Sequence, residues 1–233
     1  MNKYTEIFRN DSPCPYLPGR TFIQNTFFSG NLTPSEWGFF LSSGWRRFGR
    51  NFFRPNCEVC FECRPIRILA RELKPTKSQR RVFHKNLKTQ VFFTEEPPSE
   101  SVFHLYNEHS YFRFGREPVE LEDFNESFRF NGAPALRSEY YIDGKLAGAG
   151  FLDYSESAMS SVYFIYSREF QDYSLGIFSV FAECKEAVAR GLTHYHLGFL
   201  VKSNPSMAYK GNFHPHEIMD WHTGKWHRDS NLT

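Results

Sequence analysis

From residue 136 onward, apolar and polar side chains alternate with a period of two. "LRSEYYI" and "KLAGAGFLDY" flank Asp143-Gly144. That predicts a hairpin, because Asp-Gly accepts the positive φ of a two-residue turn. "SSVYFIYS" (160–167) predicts a third strand. "YSLGIFSVFAECKEAVARG" (173–191) switches to helical spacing and ends at a glycine, and "THYHLGF" (193–199) returns to a strand. Meander, strand, helix, strand is an α+β order in which the last two strands run parallel.

Upstream, "TPSEWGFFLSSG" (33–44) predicts a helix. Thr33 is placed to cap it, Pro34 suits its first position, Glu36 completes a capping box and Gly44 ends it. "RPIRILA" alternates as a strand, "PTKSQRRVFHKN" (75–86) reads as a short basic helix and "QVFFTE" as a strand. "ESVFHLYNEHSYFRF" (100–114) places Val102, Leu105, Tyr106 and His109 at helical spacing, and "VELEDFNESFRF" (119–130) is a second, acidic helix. "PCPYLPGR" (13–20) is a rigid turn. The chain thus divides into a small cysteine-containing region, 1–70, and an α+β domain, 71–233, with a mixed, mainly antiparallel sheet flanked by helices.

Composition adds two constraints. Aromatic residues make up 18% of the 233 positions, enough for a packed core. No run of 18 apolar residues exists, and "MNKYTEIFRNDSP" has no apolar signal segment, so a soluble cytoplasmic protein without a membrane partner is expected. Charge is uneven: residues 1–90 hold 16 Lys/Arg against 6 Asp/Glu, and residues 91–160 hold 5 against 13. A basic first third suits a polyanion partner; mutual neutralisation of the two segments is the ordinary alternative.

Cys57, Cys60 and Cys63 follow one another at intervals of three, and Cys14 sits in the proline-rich turn. Four thiolates suit zinc or an iron–sulfur cluster equally; reduced, buried thiols are the alternative. Cys184 falls on the apolar face of its helix and reads as core.

"CPYLPGR" (14–20), "RPNCEVCFECRPIR" (54–67), "SQRRVFHKN" (78–86), "SSVYF" (160–164), "SLG" (174–176) and "SMAYKGNFHP" (206–215) occur in that order. Together they resemble the arginyl-tRNA–protein transferases and their short bacterial relatives, the aspartate/glutamate leucyltransferases. The resemblance implies a GNAT-like aminoacyl-transfer domain and an aminoacyl-tRNA donor, leucyl preferred and arginyl second. It implies acceptor proteins with N-terminal Asp or Glu, and a product marked for degradation by the N-end rule pathway. It also implies that Cys14, Cys57, Cys60 and Cys63 hold zinc or an iron–sulfur cluster, although the chemistry itself requires no cofactor.

The donor in such a reaction is an activated ester and the nucleophile an α-amine with a pKa of about 7.7–8, so positioning and oxyanion stabilisation are the main needs. An acidic acceptor calls for guanidinium groups. Arg80 and Arg81 are the first candidates, with Lys85 and Arg113 behind them; tRNA phosphates or a solvated helix face would also explain the arginines. Tyr106, Glu139 and Tyr163 are candidates for shaping the donor pocket, against an ordinary core role. Lys210 is a candidate for contact with the tRNA end or the oxyanion. Arg54, Arg64 and Arg67 are candidates for tRNA phosphates. In "QDYSLG" (171–176), Ser174 stands where coenzyme A-dependent acetyltransferases carry a glycine, which argues against an acetyltransferase; the helix start suits a tRNA phosphate, or a plain hydroxyl cap. A metal-containing, redox-sensing nucleic-acid-binding protein is the reading from a different class, and it leaves the α+β domain without a use.

Overall fold

The computed structural model describes residues 5–128 and 132–229. A four-stranded antiparallel sheet comes first, built from β1 (Phe8–Pro13), β2 (Thr21–Phe28), β3 (Arg46–Phe48) and β4 (Asn51–Pro55) in the order β1-β2-β4-β3, with α1 (Pro34–Ser42) between β2 and β3. The remaining strands are β5 (Arg64–Leu69), β6 (Gln90–Thr94), β7 (Ala135–Ile142), β8 (Lys145–Tyr154), β9 (Ala158–Tyr166), β10 (His194–Leu200), β11 (His216–Met219) and β12 (Trp226–Arg228). They form one eight-stranded sheet ordered β12-β11-β5-β10-β9-β8-β7-β6. The helices that flank it are α2 (Lys77–Lys85), α3 (Glu100–Phe114), α4 (Leu121–Phe128), α5 (Leu175–Ala189) and the short α6 (Pro205–Ala208). Among the described residues only β9 and β10 are parallel, as the strand–helix–strand order requires.

Local chemistry explains most of these elements. Thr33 and Glu36 exchange the expected capping bonds at α1, and Thr76 and Gln79 do the same at α2; such caps stabilise a helix start by about 1 kcal/mol each. Asp143 (φ 49°) and Gly144 (φ 78°) close the β7–β8 hairpin. The expected strand at 64–70 is β5, which lies inside the large sheet against β10 and β11. A boundary at residue 70 therefore falls after a strand of the large sheet, not before it. Residues 129 and 130 of the expected acidic helix lie outside the described residues.

Helix α5 covers one face of the sheet, packing Val180, Phe181 and Cys184 on Leu152, Met159 and Leu197. On the opposite face α3 and α4 pack Val102, Leu105, Phe124 and Phe128 on Ala149, Phe151 and Ile165. The small sheet and α1 bury Phe27, Trp37, Leu41 and Phe52 together with Ala158 at the start of β9. Each such side chain contributes about 1.5–3 kcal/mol by leaving water. Among the described residues, no helix is long and apolar enough to cross a membrane.

Candidate active site

The parallel pairing of β9 and β10 lasts three residues, His194–His196 opposite Ala158–Ser160. β10 pairs with β5 along its whole length, and at a bulge between His196 and Gly198 (φ +92°) it parts from β9. A register shift in β9 follows at once, with Leu152 opposite Ser161 and Phe151 opposite Tyr163. Bulges of this kind re-aim side chains beside functional sites. From Ser161 to Ile165, β9 has β8 on one side and, among the described residues, no strand on the other. The result is a notch in the middle of the sheet.

Cationic side chains fill one side of it. Arg46, from β3, donates from Nη1 to Ser160 Oγ at 3.0 Å and from Nη2 to the Gly198 carbonyl at 3.1 Å. Its Nε is buried without a partner among the described residues. Burial pushes its pKa down to about 9, with Asp153 and Tyr195 opposing the shift. Arg47 beside it donates to the Asp153 carboxylate. Burial raises the pKa of Asp153, and Arg47 and then Arg46 hold it back. Lys210, on a 3₁₀ turn (Tyr209–Asn212), places Nζ 3.4 Å from where a Cβ on Gly198 would stand. Lys210 is half-buried and hydrogen-bonds to nothing among the described residues. Its pKa is pushed down to about 7, first by burial and then by Arg46. Asp153 thus serves both guanidiniums while Lys210 faces the like charge of Arg46, an arrangement suited to an incoming anion. His196 nearby is kept neutral by burial and by Arg46 and Arg67.

Hydroxyl groups and a carboxyl occupy the other face. Glu183 of α5 is buried; Oε1 accepts from Ser138 Oγ at 2.8 Å and from the Tyr140 hydroxyl at 3.1 Å, and Oε2 accepts from the Tyr195 hydroxyl. The Ser161 hydroxyl lies close enough to the Tyr195 phenol to oppose the burial that raises its pKa. Gly150 makes room for the carboxyl: a Cβ there would fall 2.5 Å from Glu183 Oε1 and from Ser138 Oγ. Burial raises the pKa of Glu183 to about 7, against the pull of its three donors.

A groove of about 450 Å³ runs between α2, the start of α5 and the 209–214 segment, lined by Ser78, Gln79, Val82, Ile177, Tyr209 and His214 among others. Tyr209, which lines it, is followed in the chain by Lys210. Ser174 precedes α5 with φ 54° and its side chain makes no capping bond, so the hydroxyl-cap reading of that residue does not hold. A positive φ is the reason a glycine suits this position.

Cys14, Cys57, Cys60 and Cys63 line one cavity of about 110 Å³ with Arg54 and Trp221. Burial pushes the Cys63 thiol up to about 12, reinforced by Cys14, Cys57 and Cys60. Cys57 Sγ accepts from the Ile23 N–H at 3.3 Å. Four thiols around one cavity fit zinc or a cluster chemically. The geometry is not preformed: among the described residues, no three Cys, His, Asp or Glu side chains already converge as an ion site. Cys184 is buried in the core and its thiol pKa is raised by burial.

Of the residues expected from sequence, Lys210 reaches the notch. Arg80 and Arg81 do not; both are exposed on α2, and Arg80 Nη1 donates to the Pro75 carbonyl at 3.1 Å, because the helix turns Ser78, Gln79 and Val82 toward the groove instead. Lys85 Nζ donates to the Asp172 carbonyl at 3.0 Å, and Arg113 is exposed in the last turn of α3. Tyr106 and Tyr163 belong to an aromatic cluster with Phe124 and Phe128 beneath α3 and α4. Glu139 accepts from Arg137 Nε and from the Tyr141 hydroxyl, both at 2.8 Å, away from the notch. Arg54 lies 5.0 Å over the Trp221 ring, Arg64 is half-buried at the start of β5, and Arg67 is paired with Glu217 at 2.6 Å and stacked on Trp226. The sequence reading missed Arg46, Tyr195 and Glu183. For Glu183 a signal existed: it is the one charged residue among the inward positions of α5.

Two family descriptions match the chain: "Arginine-tRNA-protein transferase, C terminus" over residues 83–220 and "Arginine-tRNA-protein transferase, N terminus" over residues 12–81. An aspartate/glutamate leucyltransferase from Campylobacter jejuni is 33% identical, with 90% of each chain covered. One from Marinobacter nauticus is 31% identical, with 97% of each chain covered. Among solved structures, FemX overlaps 83% of this chain and 79% of its own, at a TM-score of 0.46 and 10% identity.

Proposed function

This chain belongs to the arginine-tRNA-protein transferase family, and we propose on that premise that it moves leucine from leucyl-tRNA to the free amine of proteins beginning with Asp or Glu. The product carries a new peptide bond and an N-terminal leucine that marks it for N-end rule degradation. The observation that carries this reading is the pair Arg46 and Lys210 in the notch, cations short of a counter-ion.

In this reading the acceptor's acidic side chain binds Arg46 and Lys210, which fixes its amine beside the free edge of β9. The aminoacyl end of the tRNA lies in the groove, with a terminal phosphate near Ser174 and the start of α5. Main-chain N–H groups on the unpaired edge of β9 supply donors to the oxyanion. The exposed Arg80 and Arg81, together with Arg54 and Arg64, serve the tRNA backbone. Tyr106, Tyr163 and Glu139 hold the scaffold behind the notch. Cys14, Cys57, Cys60 and Cys63 hold zinc or an iron–sulfur cluster that braces the small sheet and takes no part in the transfer.

Purified protein given radiolabelled leucyl-tRNA should label peptides starting with Asp or Glu and leave one starting with Ala unlabelled; arginyl-tRNA run in parallel should transfer poorly. Equal labelling of the Ala peptide would remove the case for a carboxylate clamp.

A further inference from the structure

We infer that Glu183 takes up the proton released by the acceptor's ammonium group, reached from the notch through Ser161 and Tyr195. This rests on the transfer reaction proposed above and adds the proton acceptor for it.

The geometry is a line of polar side chains on one face of the sheet that ends in a hydrogen bond to Glu183. Ser161 is the first β9 residue without a β10 partner, and it is partly exposed at the notch. Its hydroxyl lies beside Tyr195, and the Tyr195 hydroxyl donates to Glu183 Oε2. The Tyr195 hydrogen bond points inward, the direction in which a proton would pass. Ser160, the preceding residue, binds Arg46, so successive side chains of β9 face the two halves of the site. The acceptor's carboxylate and its amine can then be served at once from opposite faces of one strand.

Glu183 is an unusual core residue. Among the described residues it has no cationic partner; the polar and titratable groups around it are Ser138 and Tyr140 from β7, Tyr195 from β10, Tyr209 from the 3₁₀ turn, and Cys184 beside it on α5. Tyr140 also meets Ser179 of α5. A carboxyl that needs only structural satisfaction could be replaced by an apolar side chain at less cost. Instead β8 carries Gly150, which leaves space for it. A carboxyl titrating near 7 is well matched to an amine of about 7.7–8.

The step balances as follows. The ammonium gives a proton to Ser161 Oγ, Ser161 passes its own to the Tyr195 oxygen, and Tyr195 passes its own to the Glu183 carboxylate. The amine lone pair then attacks the ester carbonyl, the C–N bond forms and the C–O bond to the ribose breaks. The ribose oxygen leaves with the bonding pair and takes the second nitrogen proton. Glu183 returns its proton to solvent through the same line. Ser161 is the group that touches the substrate; Tyr195 and Glu183 are positioning residues behind it.

Glu183→Gln, Tyr195→Phe and Ser161→Ala should be assayed in single-turnover transfer of leucine to an Asp-initiated peptide between pH 6 and pH 8.5, with melting temperatures recorded. Glu183→Gln should lose about 100-fold in rate at pH 7. Its rate should then climb about tenfold per pH unit toward the pKa of the acceptor amine. Tyr195→Phe and Ser161→Ala should show the same changed profile. Should Glu183→Gln fail to fold, the partly exposed Ser161→Ala decides the matter. A folded variant with wild-type rate and wild-type pH profile overturns the inference, while wild-type protein that transfers nothing to the Asp peptide overturns the underlying function instead.

Discussion

Lys210 and Arg46 meet where β10 leaves β9, and the carboxylate that faces Arg46, Asp153, is already held by Arg47. In the function proposed above, an acidic acceptor side chain supplies the missing charge. Lys210→Met should therefore cost about 2 kcal/mol or more in binding the acceptor, about thirtyfold in kcat/KM for an Asp peptide. The same variant should change transfer to an Asn peptide by less than about threefold, since the lost interaction is specific to charge. Equal losses on both peptides would assign Lys210 to the donor instead.

The depressed pKa of Lys210 gives that site a pH dependence. In the free protein the ammonium loses its charge as pH rises through about 7, so the KM for an Asp peptide should rise above that pH. Lys210→Arg, which stays charged, should flatten the rise. The stability sign follows from the same shift. A folded pKa below the unfolded value means stability present above about 10.5 and lost as pH falls through about 7. Lys210→Met should accordingly melt higher than wild type at pH 6, measured as the difference between the two proteins so that other titrating groups cancel.

Arg80 and Arg81 show what linear spacing can and cannot reveal. Adjacent arginines on a short helix read as a clamp, yet α2 turns Gln79 inward, where it donates to the Asn212 carbonyl at 3.1 Å, and leaves both arginines outside. Changing both to Ala should leave the preference for Asp over Ala peptides intact. It should raise the KM for leucyl-tRNA, more at low salt than at high, as phosphate contacts do.

Strong local patterns were legible throughout: the Asp143-Gly144 turn, the capping box at Thr33 and the full span of α3 stand where the sequence places them. The small sheet was not, because β1 is exposed along its whole length and β3 has three residues, so neither shows a period. The notch was hidden for another reason. Arg46, Ser161, Glu183, Tyr195 and Lys210 come from five separate elements, and the bulge at Gly198 that assembles them has no one-residue signature.

Asp153 and Arg47 form a buried pair, with side chains 0% and 2% exposed. Removing one member of such a pair strands the other's charge and typically costs about 3–5 kcal/mol. Asp153→Asn should destabilise the protein by about that amount in urea unfolding, with the midpoint shifted and the slope unchanged. A shift under about 1 kcal/mol would mean that Arg46 and Arg47 find solvent or another acceptor.

The four clustered thiols give the last test. Burial and the neighbouring thiols hold Cys63 protonated up to about 12, so in the metal-free protein the site should resist alkylation at Cys63 well above neutral pH. A bound cation reverses that logic, since thiolate ligands are deprotonated when the ion binds. Anaerobically prepared protein should contain about one zinc, or one cluster with visible absorption, per chain. Cys63→Ser should lose the metal and lower the melting temperature, while transfer to an Asp peptide should persist at a temperature where the variant is folded, because the notch is built from other residues. Loss of transfer in a folded, metal-free variant would place the metal inside the reaction; a wild-type protein that holds no metal and melts normally would leave the four cysteines as plain thiols, with Cys14, Cys57 and Cys63 packed in one cluster with Tyr16 and Trp221.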